Sequence, residues 1–295
     1  MSSAKLIGYF RGFESTGNLL SATPSSVTHI NLFVAGITPD GKSLATNYLT
    51  KGSSASQLIA ASQQLQKQGQ RVSMSLMDSS TIHWNNVDIS SYVQSVQQVA
   101  MGQWGLNGID VDAESGMPAD VYVDTMVNLV TSLRQALGSG ALLTYTAYTL
   151  GQKVLGYGTD FNFDGEILPK IASSIDWVNT MGYFWDTQDQ QTAFAAYADL
   201  VGPEKVAIGV GVDYQGGAST PLDEVSALAN WQPASGSKAG MMLYALDGDA
   251  PQFTGKPQWT WVDTIAQGQG AAKPKARPAV PKPHRRLPWA VQAVR

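Results

Sequence analysis

Apolar residues along the chain gather into eight short runs, and between most of these runs they recur instead at helical spacing. The runs cover residues 5–10, 27–34, 71–77, 107–113, 141–147, 175–183, 206–212 and 240–245, each of strand length. Helical spacing is clearest over 118–137, where Pro118 stands in the first turn and Gly138 follows the last, with Val121, Met126, Leu129, Val130 and Leu133 on one stripe. Weaker stripes predict helices over 56–68 (Ser56 as N-cap), 90–101, 192–201, 223–231 and 259–267. A loop and a short helix, broken at Pro169, fill 156–174. Strands that are apolar nearly throughout belong to a parallel sheet covered on both faces. Eight such units in roughly 250 residues predict an α/β fold of the (β/α)8 TIM-barrel type. An open doubly wound sheet is the alternative, but it would bring a glycine-rich first turn that this chain lacks. The span from Val212 to Gly240 is too short for a large inserted domain.

One run breaks the apolar pattern. In 107–113 small or apolar residues alternate with acids, and Glu114 continues the row. Successive strand side chains point to opposite faces, so Asp110, Asp112 and Glu114 share one face and Ile109, Val111 and Ala113 the other. The apolar face suits packing under helices, which turns the acids inward. Carboxylates buried together raise one another's pKa, as a proton donor near neutral pH requires. Active sites of this barrel lie at the C-terminal ends of the strands, so Glu114 and Tyr183 would reach the same mouth.

Composition narrows the chemistry. The chain is 43% hydrophobic and 14% charged, enough to bury a sizeable core. There is no cysteine, and His29, His83 and His284 are scattered, so neither a disulfide nor a metal site is expected. No nucleotide-binding motif is present and no cofactor is implied. Net charge is −4, yet seven of the 19 basic residues lie at 273–295 without an acid among them. The body is therefore more acidic than the total, which argues against nucleic acid as a partner. No run of 18 apolar residues suggests a membrane span, and no leader is visible after Met1. Prolines and basic residues mark 271–295 as a tail behind a catalytic barrel at 1–270. Trp289 and the tail arginines are candidates for docking a protein partner.

Residues 106–114 (LNGIDVDAE) resemble the D-G-x-D-x-D-x-E signature of glycoside hydrolase family 18, the chitinases and endo-β-N-acetylglucosaminidases, with Asn107 at its first acid. Residues 6–10 (LIGYF) and 28–33 (THINLF) are similar to that family's first two strands, Met181-Gly-Tyr183 to its M-x-Y motif, and 240–247 (GMMLYALD) to its eighth strand. The resemblance covers residues 5 to about 268. It implies retaining hydrolysis of β-1,4-linked N-acetylglucosamine in which the substrate supplies the nucleophile. Glu114 would be the acid, Asp112 would orient the acetamido N–H, Asp110 would tune Asp112, and Tyr183 would hold the acetamido oxygen. Tyr9, Met181, Tyr244, Trp185, Tyr214, Asp213 and Asp78 complete the expected sugar-binding set. Trp84 and Trp231 are further aromatic candidates.

The sequence departs from the family pattern at three places. Of the S-x-G-G usual on strand three only Ser75 remains, Phe184 follows Tyr183 where an Asp or Asn is usual, and Tyr244 replaces a tryptophan. Asp186 or Asp213 would have to stand in for the missing acid. A short loop before strand eight implies an open cleft and endo-action, with chitin or chitooligosaccharides first among substrates. N-glycans, or a silent chitin-binding lectin on the same barrel, are the alternatives. Retention of Glu114 favours the enzyme, and the substrate implies an extracellular setting.

Overall fold

The computed structural model describes residues 4–78, 82–114, 119–157, 162–214 and 216–270. Pro118 and the tail at 271–295, with its expected docking role, lie outside these residues. Eight strands form the body: β1 (Lys5–Arg11), β2 (His29–Ile37), β3 (Arg71–Leu76), β4 (Gly108–Asp112), β5 (Leu142–Ala147), β6 (Trp177–Thr180), β7 (Val206–Tyr214) and β8 (Gly240–Tyr244). Neighbours pair in parallel in chain order, and β1 pairs with both β8 and β2, which closes the expected cylinder. Among the described residues between β7 and β8 stand only the two-residue strand Ala218–Ser219 and helix α8 (Leu222–Asn230), so no large domain is inserted.

Strand alternation divides the interior into two compartments. Outward residues such as Leu6, Ile30, Val72, Ile109, Val111, Leu143 and Ile208 pack beneath the surrounding helices. Inward residues behave differently along the axis. Ile7, Tyr9, Phe33, Trp177, Met181 and Met242 form a separate cluster inside the barrel. Buried among the inward positions are polar side chains: Asn31, Ser73, Ser75, Asp110, Thr144, Thr146 and Asn179. A lumen this polar is stable only if its groups bond one another, and that requirement shapes the site.

Beside two short helices, α1 (Gly17–Ser21) and α9 (Pro251–Thr254), the helices α2 (Ala55–Lys67), α3 (Ile89–Val96), α4 (Ala119–Leu137), α7 (Thr187–Val201) and α10 (Thr260–Gly268) occupy the predicted stretches. Four local expectations are corrected. Helix α2 is capped by Ser54, not Ser56, in a capping box with Gln57. The stripe over 90–101 is not one regular helix: α3 runs into a π-helical stretch, Gln97–Gln103, where the Trp104 N–H reaches the Val99 carbonyl at 2.9 Å. Two helices rather than one follow β5, α5 (Thr149–Leu155) and α6 (Phe163–Ile171). Pro169 does not break α6, because it sits exposed near the end and forfeits a single backbone bond.

Candidate active site

Asp110 is fully buried in the lumen and is held by five donors. The Ser75 and Tyr9 hydroxyls donate to Oδ2 at 2.8 and 2.7 Å. Those of Thr144 and Thr146 donate to Oδ1 at 2.5 and 3.0 Å, and the Asn179 amide adds a longer bond at 3.4 Å. Strand register explains two of these, since Ser75 and Thr144 are the direct partners of Asp110 on β3 and β5. Tyr9 reaches across the lumen from β1. Burial lifts the Asp110 pKa and the hydroxyl donors pull against that lift.

Asp112 lies one inward position higher, beside Thr146 of β5, and is 2% exposed. Its Oδ1 is buried with no hydrogen-bond partner among the described residues. Burial first, then the charges of Glu114, Asp110 and Asp78, hold its pKa well above the carboxylate range. Glu114 follows at the rim. Solvent reaches it from the mouth, yet the protein crowds it enough that burial raises its pKa as well. The row is thus graded, from an acid locked in hydroxyls, through one left unpartnered, to one open to a ligand. Asp112 and Glu114 titrate as a pair, and the pair keeps a proton to higher pH than either would alone.

Above the acids is a cavity of about 250 Å³, just below the range of about 300–1,000 Å³ usual for ligand pockets. Tyr9 and Thr146 line it with the two upper acids, and Tyr183, Phe184, Tyr214 and Tyr244 form an aromatic wall. Tyr183 and Tyr244 lie nearly parallel, 19° apart with centroids at 5.9 Å, and Tyr214 is 5.3 Å from Tyr183. Phe33 meets Tyr244 edge-on at 5.6 Å. The Arg11 guanidinium sits 5.9 Å from the Tyr244 ring centroid, behind the wall. Burial, followed by the charges of Glu114 and Asp112, raises the Tyr183 phenol, so it stays a neutral donor.

Of the predicted residues, Glu114, Asp112, Tyr183, Tyr244, Met181, Tyr9 and Tyr214 meet in this cavity, and Asp110 lies directly beneath. Three do not line it. Trp185 is buried and packs over Gly151, where a Cβ would come within 2.4 Å of its ring. Asp213, in the left-handed region at φ 54, holds Arg11 at 3.2 Å, and Arg11 also binds buried Asp247 at 2.8 Å. Asp78 is 5% exposed and accepts from the Trp84 N–H, with His83 at 3.3 Å, and its charge helps to raise the Asp112 pKa. Asp186 caps α7 and Trp231 packs on Phe194, so neither reaches the site. Trp84 is buried against Tyr92. The cavity also recruits Phe33, Thr146, Phe184 and Met242. The first, second and fourth lie on inward strand faces, but both faces of those strands are apolar or neutral, so alternation alone does not single them out. Among the described residues no cluster of metal ligands is found.

The family model of the endo-β-N-acetylglucosaminidase EndoS TIM-barrel domain matches residues 18–243. Among curated proteins, endo-β-N-acetylglucosaminidase F2 of Elizabethkingia meningoseptica is 24% identical over 277 residues, covering 83% of this chain and 73% of that one. Among solved structures, a family GH18 chitinase from Chromobacterium violaceum aligns with TM-score 0.75 at 18% identity, covering 91% of this chain and 84% of that one. A fungal endo-β-N-acetylglucosaminidase of glycosyl hydrolase family 18 aligns with TM-score 0.68 at 19% identity, covering 90% and 97%. At these identities the structural likeness is one of fold.

Proposed function

The chain belongs to the family of the EndoS TIM-barrel domain, within glycoside hydrolase family 18, and on that premise we propose that it cleaves N-acetylglucosamine-β-1,4-N-acetylglucosamine bonds by substrate-assisted catalysis. The observation that carries this reading is the graded acid row opening beneath an aromatic cavity. Glu114, raised in pKa and open to the mouth, gives its proton to the glycosidic oxygen as the C1–O bond breaks. The carbonyl oxygen of the substrate's 2-acetamido group closes on C1 and forms an oxazolinium ion. Asp112, the acid with an unpartnered oxygen, receives the acetamido N–H and balances the developing positive charge. Tyr183 donates its phenol to the acetamido oxygen and keeps it in line. Water then attacks C1, Glu114 takes its proton, and configuration is retained. Asp110 touches no substrate; its hydroxyl cradle fixes the strand on which Asp112 stands.

For the substrate, the family model and the curated relative favour the chitobiose core of N-glycans. Chitin is the second reading, favoured by a series of rings leading out of the cavity. Phe33 lies 6.3 Å from Phe13, and Phe13 lies 4.7 Å from exposed Tyr48. We infer an extracellular site of action from the substrate alone. The test is release of a fluorophore from chitobiose and chitotriose glycosides by the protein and by Glu114→Gln. Parallel incubations with a high-mannose glycoprotein and with chitin separate the substrates. Glu114→Gln is expected to lose on the order of 10²–10⁴-fold in kcat. Equal rates for the two proteins would exclude the mechanism, and binding without turnover by both would leave a lectin.

A further inference from the structure

At the end of the barrel opposite the acids, the first residues of several strands surround a second cavity, of about 360 Å³. Lys5, His29, Arg71 and Trp177 open β1, β2, β3 and β6 and line it together with Asp176. Asp176 is the one carboxylate on this wall, and it is already engaged. It accepts from the Arg134 guanidinium at 2.9 Å and from the Leu143 N–H at 2.8 Å. The two cations are not engaged in the same way. Among the described residues neither Lys5 nor Arg71 has an ion-pair partner. The Lys5 ammonium rests 5.2 Å from the centroid of the Trp177 ring. Arg71 Nε is buried and makes no hydrogen bond.

Asp176 attracts Lys5 from beyond ion-pair distance, so two half-buried cations share one carboxylate that is already engaged, an unfavourable balance in an otherwise acidic body. A guanidinium fork matches two oxygens of an oxyanion, and an ammonium adds a point charge beside it. We propose that this N-terminal mouth is an oxyanion site that takes a phosphate group between Arg71 and Lys5. His29 reports on its occupancy. The ring packs edge-on to Trp177 at 4.9 Å, and its Nδ1 lies 2.8 Å from the Thr28 hydroxyl. Burial first, then the charges of Lys5 and Arg71, push its pKa down to about 4, with Asp176 opposing. A bound dianion offsets both cations, so occupancy raises the His29 pKa. By reciprocity, protonating His29 tightens the anion.

The full chain is titrated with inorganic phosphate at pH 7, with sodium chloride at matched ionic strength as reference. Ring-proton NMR follows His29, with His83 and His284 as internal controls, and Tm is measured in parallel. A saturable shift confined to His29 and a rise in Tm are expected with phosphate and not with chloride. Arg71→Gln and, separately, Lys5→Gln are expected to weaken apparent affinity at least tenfold while keeping the parent far-UV spectrum. Because Lys5 and Arg71 stand on different strands, the Lys5 variant keeps the test decisive should Arg71→Gln fold poorly. Repeating the titration with phenyl phosphate tells a free ion from the phosphomonoester end of a larger molecule. In saturating sulfate, which stays a dianion, the His29 pKa is expected to rise. An equal response to chloride, or an unchanged response in Lys5→Gln, would overturn the site.

Discussion

Asp78 shows how a residue acts on a site it does not enter. It is buried, accepts from the Trp84 N–H, and adds its negative charge to those that lift Asp112. Replacing it with an isosteric amide keeps the shape and removes the charge. A like charge withdrawn lowers the pKa of the group it faced. The acid limb of kcat/KM, where the Asp112–Glu114 pair gives up its first proton, is therefore expected to move to lower pH in Asp78→Asn. The maximum should change by less than about tenfold, since no transition-state contact is lost. A pH–rate profile superimposable on the parent's would mean that the charge of Asp78 does not act on the Asp112–Glu114 pair. At this scale the sequence was informative wherever alternation assigned a face. Asp110, Asp112 and Glu114 fall where period two puts them, and so does Tyr9. Phe33, Thr146 and Met242 sit on inward faces of strands whose two sides are both apolar or neutral, so nothing in their runs distinguishes wall from packing.

Elements were legible when their own residues determined them and hidden when a distant residue did. All eight strands and the long helix α4 lie within a few positions of the apolar runs that predicted them. Helix α5 has no such stripe, and its N-cap residue, Tyr148, makes no capping bond. Its cap is Asp164, from the start of α6. The Asp164 Oδ2 accepts from the N–H groups of Tyr148 at 3.0 Å and Thr149 at 2.7 Å, and from the Thr149 hydroxyl at 2.7 Å. No local spacing announces a carboxylate fifteen residues downstream as a helix cap. Asp164→Ala strips these donors at a site that is 1% exposed, so water cannot replace the lost acceptor. Each buried donor left open costs about 1–3 kcal/mol. A loss of about 3 kcal/mol or more is expected in urea unfolding, with α5 exchanging its amide hydrogens first. Asp164→Asn should recover part of the loss through its carbonyl oxygen. A destabilisation below about 1 kcal/mol for Asp164→Ala would show that α5 is held by packing alone.

Across the whole molecule, buried carboxylates set the response of stability to pH. Burial lifts Asp110, Asp112, Asp164 and Asp247 above their usual range, and it carries Asp249 to about 7. A carboxyl raised on folding binds its proton more tightly in the native state. Its stabilisation is therefore complete below the unfolded value of about 3.9 and is lost as pH rises through the folded value. Asp40 and Asp88 are lowered and act in the opposite sense, but both are solvent-exposed and contribute little. Asp249 gives the clearest single window. It is 0% exposed, accepts from the Val262 N–H at 3.0 Å at the start of α10, and has a buried Oδ1 without a partner among the described residues. Between about pH 4 and pH 7 its ionisation removes stability worth at most about 4 kcal/mol. An asparagine there keeps the carbonyl acceptor for Val262 and cannot ionise. The parent is expected to melt on the order of 10 °C lower at pH 8 than at pH 5. Asp249→Asn should narrow that gap mainly by raising the pH 8 value. Scanning calorimetry at the two pH values reads both quantities. A variant with the parent's pH dependence would place the burden on the lumen acids instead, where Asp112 is the group with an unpartnered oxygen and three like charges around it.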